Sequence, residues 1–387
     1  MSGVLDGITV LDLSRDIAGP YACMLLGTMG ARVIKVEPVG GSTERSDTRF
    51  FLWNRGKEMV AMDLESPQGR EVVLKMAGMA DVLVIDRVPE EAQSLGLDYD
   101  SLRENNPRLI YCAIPTYPEG SSWENMPGDA YTAAAAMGLM AGRGEAGTPE
   151  MLYLPVAAYG SAFTSCFAIS SALLVREMDG IGQKVEVSLQ QGAMAMQTAG
   201  FTTGQAFQPR GSSFRQGISV GIPVYRLFHA SEGWFFMACG NNTFFNKLCI
   251  ALGLEGLADD ERFRDAPWGI ASENYDALAD ILEPIFEAKP AEHWVQFLTE
   301  HDIPCGAVQE RDVFIGHPQI AVNEMMRPIY DPTLGATLQP GVPVWMHGQP
   351  GALPPPTALS GAHTKSVLAE LGYSEGEVSE LRERGVV

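Results

Sequence analysis

Positive charge is scarce in this chain. Lysine and arginine total 27 against 48 aspartates and glutamates, a formal net charge of −21 over 387 residues. Nucleic acids and anionic membranes both select a basic footprint, so neither is expected as a partner. Any strongly anionic ligand would need a local patch of cations. Cysteines are few and scattered: Cys23, Cys112, Cys166, Cys239, Cys249 and Cys305 include no C-x-x-C pair. Apolar neighbours such as Tyr111 and Ile114 make them read as buried free thiols. The histidines lack ligand spacing; His293 and His301 lie eight positions apart and none pairs at three or four, so no metal is expected. No apolar run reaches the roughly 18 residues that cross a bilayer. The start, Met1-Ser2-Gly3-Val4, has neither the basic nor the apolar stretch of a secretory signal, and a cytoplasmic location is the expectation. The glycine fingerprint of dinucleotide sites is also missing. The first strand-to-helix turn reads Ser14-Arg15-Asp16-Ile17-Ala18-Gly19-Pro20, so neither nicotinamide nor flavin is expected.

What is present is an ordinary globular composition, 46% apolar and 19% charged, at a length suited to two or three domains. Over the first 115 residues, β-branched runs alternate with helical stretches. The runs are Ile8–Leu13, Arg32–Glu37, Met59–Asp63, Asp81–Asp86 and Leu109–Ile114. Ser66 followed by Pro67 marks a helix start. Strands separated by single helices predict parallel βαβ units and a doubly wound α/β sheet. A Gly-, Ser- and Gln-rich segment at 206–222 reads as a linker after a first domain, 1–205. Val224–Ala230 and Trp234–Ala238 then form a hairpin signal, with helices expected at Thr243–Leu252, Tyr275–Glu287 and Ala291–Glu300. This predicts a smaller α+β domain, 223–330. Residues 330–355 read as Pro- and Gly-rich loop, and terminal helices follow in a return segment, 331–387.

A set of short strings carries a resemblance. They include Val10-Leu11-Asp12-Leu13-Ser14 with Ala18-Gly19-Pro20, Gly30-Ala31-Arg32-Val33-Ile34-Lys35-Val36-Glu37, and Asn54-Arg55-Gly56-Lys57. Later come Asn106-Pro107-Arg108-Leu109-Ile110-Tyr111, Gly180-Ile181-Gly182-Gln183, and Leu368-Ala369-Glu370-Leu371-Gly372-Tyr373. In order and spacing these resemble the family III CoA-transferases, a superfamily that also holds formyl-CoA transferases, carnitine CoA-transferases and α-methylacyl-CoA racemases. The resemblance implies a Rossmann-like large domain completed by the C-terminus, a smaller α+β domain, and two chains interlocked as a dimer. It implies acyl-CoA and a carboxylic acid as substrates, with no separate cofactor. It places CoA against Ile17 and Ala18 of the first turn, Met62 and Leu64 after the third strand, and Arg87 after the fourth.

The departures from that pattern carry the most information. Family members have an aspartate in a "P-x-A-D-Y" turn, the carboxylate that accepts the acyl group. Here Pro155-Val156-Ala157-Ala158-Tyr159 puts a methyl group in its place, at Ala158. Glu65, Pro38 and Ser94 stand where relatives often carry cations, and Arg87 alone could compensate. Asp129 falls at another active-site position of the family, although Pro127-Gly128-Asp129-Ala130 also reads as a helix N-cap. Racemase chemistry needs a histidine and an aspartate that are absent at the matching places. The chain is therefore expected to be the aspartate-lacking subunit of a heteromeric transferase such as benzylsuccinate CoA-transferase, inactive alone, with a homologous subunit or a copy of itself as partner. Two other readings stay open: a complete transferase bearing an engineered substitution, and a non-catalytic homodimer. Phe50, Phe51 and Trp53 read as core rather than as a pocket for an aromatic substrate.

Overall fold

The structure is a computed structural model that describes residues 3–141, 148–197, 222–349 and 351–387. The expected linker, 206–222, lies outside the described residues except for Ile222. Two compact units emerge: Met1–Leu139 with Leu152–Phe201 and Pro318–Val387, and Met140–Met151 with Thr202–His317.

The large unit is built on β1 (Thr9–Asp12), β2 (Arg32–Glu37), β3 (Glu58–Ala61), β4 (Val82–Ile85), β5 (Ile110–Ala113) and β6 (Lys184–Glu186). All pair in parallel in the order β3-β2-β1-β4-β5-β6, so the winding reverses between β1 and β4. Ligands of such sheets gather outside the carboxyl ends of the strands at that reversal. The helices between them are α1 (Ala18–Thr28), α2 (Thr48–Trp53), α3 (Pro67–Met79), α4 (Pro89–Ser94), α5 (Tyr99–Asn105), α6 (Ala130–Ala136), α7 (Val156–Asp179) and α8 (Leu189–Ala195). Ser66 caps α3 by accepting the Gly69 N–H (2.9 Å), with Pro67 at its first position. Phe50, Phe51 and Trp53 of α2 are buried, the first two packed with Met59.

Helix α7 is the longest element. It stops at Gly180, whose φ of 76° closes the helix by donating its N–H to the Arg176 carbonyl. Arg176 is itself buried and pairs with Asp81 Oδ1 at 2.9 Å, pinning the helix end to the residue that leads into β4. Gly160 and Gly192 allow α7 and α8 to approach backbone to backbone; a Cβ on Gly160 would lie 2.6 Å from the Gly192 oxygen. By length and composition α7 is apolar enough to cross a membrane, contrary to the reading that no such run exists. Small polar residues in it hid the run, and its buried stripe packs on α1, α8 and β5.

The smaller unit holds the antiparallel sheet β7 (Tyr225–His229), β8 (Trp234–Ala238) and β9 (Cys305–Ala307). Around it are α9 (Asn242–Ala251), α10 (Gly256–Asp259), α11 (Tyr275–Phe286), α12 (Ala291–Glu300) and α13 (Arg311–Ile315). Its core is aromatic, with Phe228 and Phe286 rings 4.7 Å apart and Trp294 donating to the Phe286 carbonyl.

From α14 (Pro318–Val322) the chain belongs to the large unit, earlier than the expected 331. The loop read at 330–355 is corrected: β10 (Met326–Asp331) and β11 (Gly335–Pro340) form an antiparallel hairpin. Asp331 organises its turn by accepting the N–H groups of Thr333 and Leu334, a signal masked by the flanking prolines. Arg55 ties the hairpin down by donating to the Pro340 carbonyl at 2.6 Å. Helices α15 (Thr364–Glu370) and α16 (Glu375–Glu383) then close the sheet edge. Thr364 Oγ1 accepts the Ala61 N–H, and the Val386 carbonyl accepts that of Asp63. Val367, Leu368, Val378 and Val386 complete the core formed by β1–β5 and α3. No disulfide joins the cysteines; four thiols are buried, whereas Cys166 and Cys305 are only half-buried, which corrects the reading of all six as buried.

Candidate functional site

The site is built where β1 and β4 part. Beneath it, Asp12 closes β1 fully buried between two buried lysines. Lys57 Nζ donates to Asp12 Oδ2 (2.7 Å), Asn54 Oδ1 (2.8 Å) and the Pro20 carbonyl (2.9 Å). Lys35 Nζ reaches Asp12 Oδ1 at 3.4 Å and also donates to the Ser14 carbonyl. Burial alone would raise the Asp12 pKa, but the two ammonium groups outweigh it and hold the carboxyl far below its usual range. Burial lowers that of Lys57, and Asp12 resists the shift. Two buried lysines thus share one buried aspartate under the turn that starts α1. Breaking such a cluster by removing one member costs about 3–5 kcal/mol.

Above this cluster the turn is filled by the chain's own carboxylates. Ser14 N–H donates to Asp12 Oδ1 (3.0 Å), Arg15 N–H to Asp86 Oδ2, and Asp16 N–H to Glu44 Oε1 (2.8 Å). Ile17 and Ala18 follow, both buried, and no side chain caps the start of α1. A ligand oxygen arriving here finds only those first helical N–H groups open to it.

Asp16 sits at the lip of the turn with a φ of 58°, a left-handed conformation that aspartate tolerates. Its side chain reaches solvent from a crevice. Lost hydration raises its pKa to about 6, Glu44 and Asp129 add to the rise, and Arg49 opposes it. Arg49 is fixed by Asp47 and lies 5.7 Å above the Trp53 ring. Folding raises the Asp16 pKa from 3.8, so its contribution to stability is full below that value and lost as pH rises through about 6. Asp16→Asn, which keeps the backbone tolerance, is therefore expected to melt higher than the parent near about pH 8 and equally near about pH 3. Equal gains at both pH values would show that the charge of Asp16 is not what costs stability.

Asp129 caps α6. Its Oδ1 accepts the N–H groups of Tyr131 (3.0 Å) and Thr132 (2.8 Å), and its own N–H donates to Thr132 Oγ1 (2.7 Å). The structure thus brings Asp129 within electrostatic reach of Asp16, at the first turn, but with one oxygen engaged as a cap. Ala158 lies in the first turn of α7, fully buried, on a stripe with Ala162, Ser165 and Ile169 at helical spacing. Next to it, Tyr159 packs edge-on against Tyr21 of α1, ring centroids 5.4 Å apart.

Arg87 is half-buried and joined to Glu91 one turn along α4. Burial lowers its pKa, as does the charge of Arg15, which itself reaches Asp86 (3.8 Å) and Glu91 (3.7 Å). Met62 is fully buried and Leu64 half-buried, both packed with the sheet core. Pro38, Glu65 and Ser94 are exposed and supply no cation. Sequence reading missed Asp16, Glu44 and the Asp12–Lys35–Lys57 cluster. The only signal for the last was charge inside strands of a parallel sheet covered on both faces.

Residues 5–364 match CoA-transferase family III. The chain belongs to that family. A succinyl-CoA:glutarate CoA-transferase from Mus musculus is 31% identical, over 99% of this chain and 90% of its own. The acetyl-CoA:oxalate CoA-transferase of Acetobacter aceti is 30% identical, over 90% and 92%. The crystal structure of a CAIB/BAIF family protein from Brucella suis superposes with a TM-score of 0.79 at 26% identity, covering 96% of this chain and all of that one. The fold is thus the Rossmann-like large unit with a smaller α+β unit that the sequence predicts. Enzymes of this family move CoA between carboxylic acids and acyl-CoA thioesters, with CoA thioester as substrate and no separate cofactor.

Proposed function

We propose that this chain is the aspartate-lacking subunit of a two-subunit family III CoA-transferase. The observation that carries the reading is Ala158, a fully buried methyl group in the turn where the family nucleophile stands. In the family reaction, a carboxylate attacks the thioester carbonyl and CoA leaves as thiolate, giving a mixed anhydride. The thiolate then attacks the enzyme's carbonyl, releases the first acid and leaves an enzyme–CoA thioester for the second acid. A methyl group accepts no acyl group, so the homologous partner supplies the carboxylate. The turn at Ser14–Asp16, filled by its own carboxylates, and the missing cations at Pro38, Glu65 and Ser94 support the same reading. Met62, Leu64, Ile17, Ala18 and Arg87 would then be remnants of a CoA groove rather than a working one.

Restoring the carboxylate tests this. Ala158→Asp, purified alone, is expected to stay about 100-fold or more below ordinary family turnover, because the groove still lacks phosphate partners. Thermal melting separates inactivity from misfolding, since a charge in this stripe is costly to bury. A folded Ala158→Asp protein with ordinary family rates would instead identify a complete transferase that lacks only its aspartate.

A further inference from the structure

We propose that His363 and Thr364 form an acid-sensitive latch over the open edge of the parallel sheet. β3 is an edge strand, so its alternate backbone groups point away from β2 and need other partners. Met59 and Ala61 carry those groups, and both residues are buried. The return segment supplies the partners from two adjacent residues. His363 Nδ1 accepts the Met59 N–H (3.1 Å), and Thr364 Oγ1 accepts the Ala61 N–H (3.0 Å). The His363 N–H donates in turn to the Met59 carbonyl (2.9 Å). Gly361 lets the segment come this close: its φ is 69°, and a Cβ there would lie 3.1 Å from the Ala61 Cβ.

One of the two acceptors depends on pH. A hydroxyl oxygen accepts at any pH, but an imidazole nitrogen accepts only while the ring is neutral, since imidazolium carries N–H on both nitrogens. Protonation therefore sets the ring N–H against the Met59 N–H, and a buried amide loses its partner. The charged groups on the neighbouring elements are paired with one another. Arg32 of β2 joins Glu58 of β3 and Glu370 of α15 (2.7 Å each). Arg45 holds Glu37 of β2 (2.7 Å) and donates to the Ala358 carbonyl, and Lys365 of α15 meets Glu375 of α16 (2.6 Å). The latch is thus at full strength in neutral and alkaline solution and is lost as the imidazole gains its proton. Opening is local: the β3 edge and the start of α15 loosen while the sheet core stays folded. It is also independent of which subunit supplies the nucleophile.

Hydrogen–deuterium exchange of the full chain tests the latch, read by mass spectrometry at about pH 7.5 and about pH 5.5 and corrected for the pH dependence of exchange itself. Fragments covering Met59–Ala61 and His363–Glu370 are expected to exchange about tenfold faster at the lower pH, as the loss of one buried hydrogen bond implies. Fragments covering β4 and β5 should keep their protection. His363→Asn removes the titration but offers a side-chain oxygen near the place of Nδ1, so its exchange should be the same at both pH values. Should that variant not fold, the comparison of β3 with β4 and β5 in the parent protein still decides. The proposal is overturned by unchanged protection of β3 in the parent, by a loss spread equally over β4 and β5, or by the same pH response in a folded His363→Asn.

Discussion

Purified alone, the chain is expected to transfer no CoA from succinyl-CoA to a second acid above background. Removing the nucleophile of a covalent mechanism costs about 10⁴-fold or more, because positioning and charge stabilisation cannot form the missing bond. Nothing in the site substitutes for it. Ala158 is sealed in the α7 stripe, and Asp129 spends one oxygen on two helix N–H groups. Asp16 is flanked by Glu44 and Asp129, so a substrate carboxylate approaching it meets repulsion from both. Mixing with a homologous subunit that carries the intact "A-D-Y" turn should raise turnover from background to family rates. The assay is thioester exchange followed by mass spectrometry, with the two chains purified separately and together. Turnover by the isolated, unmutated chain, with hydroxylamine-trapped label on Asp129 or Asp16, would place the nucleophile in this chain and end the two-subunit reading.

The sheet was legible because its signals are local. Arg32–Glu37, Trp234–Ala238 and Ala291–Glu300 lie where β-branched runs and helical spacing put them, and Ser66 and Asp129 cap the helices their side chains announce. The hairpin at Met326–Pro340 was not legible, since residues 330–355 read as Pro- and Gly-rich loop while the strand pairing depends on the partner strand. The three-residue β9 has no pattern to read and exists by pairing with β8. The electrostatics of the first turn were hidden for a related reason. Glu44 and Asp86 reach Asp16 and Arg15 from 28 and 71 positions away, and no spacing rule links them. Ala158 was different: a single position set against a familiar pattern, readable without any structure.

Assembly carries the other large expected effect. The chain leaves the large unit near Phe201 and returns to it at Pro318, closing β3 with α15 and α16. On α7, Phe163, Phe167, Leu174 and Met178 form an exposed apolar stripe at helical spacing, and Tyr330 and Trp345 are also bare. Exposed apolar residues in such a row make this face a candidate interaction surface. A chain that leaves and re-enters one domain can thread through a copy or a homologous subunit, as the family resemblance implies. Such a pair would bury far more than the roughly 1,600 Å² of an ordinary interface. Dissociation would then require unfolding, because threaded chains cannot slide apart. Native mass spectrometry at nanomolar concentration should show a dimer or larger species, with subunit exchange no faster than global unfolding. Phe167→Asp, on that exposed row, should lower the melting temperature if a second chain covers it, without releasing a folded monomer. A folded monomer at that dilution, in either protein, would rule out the interlocked arrangement.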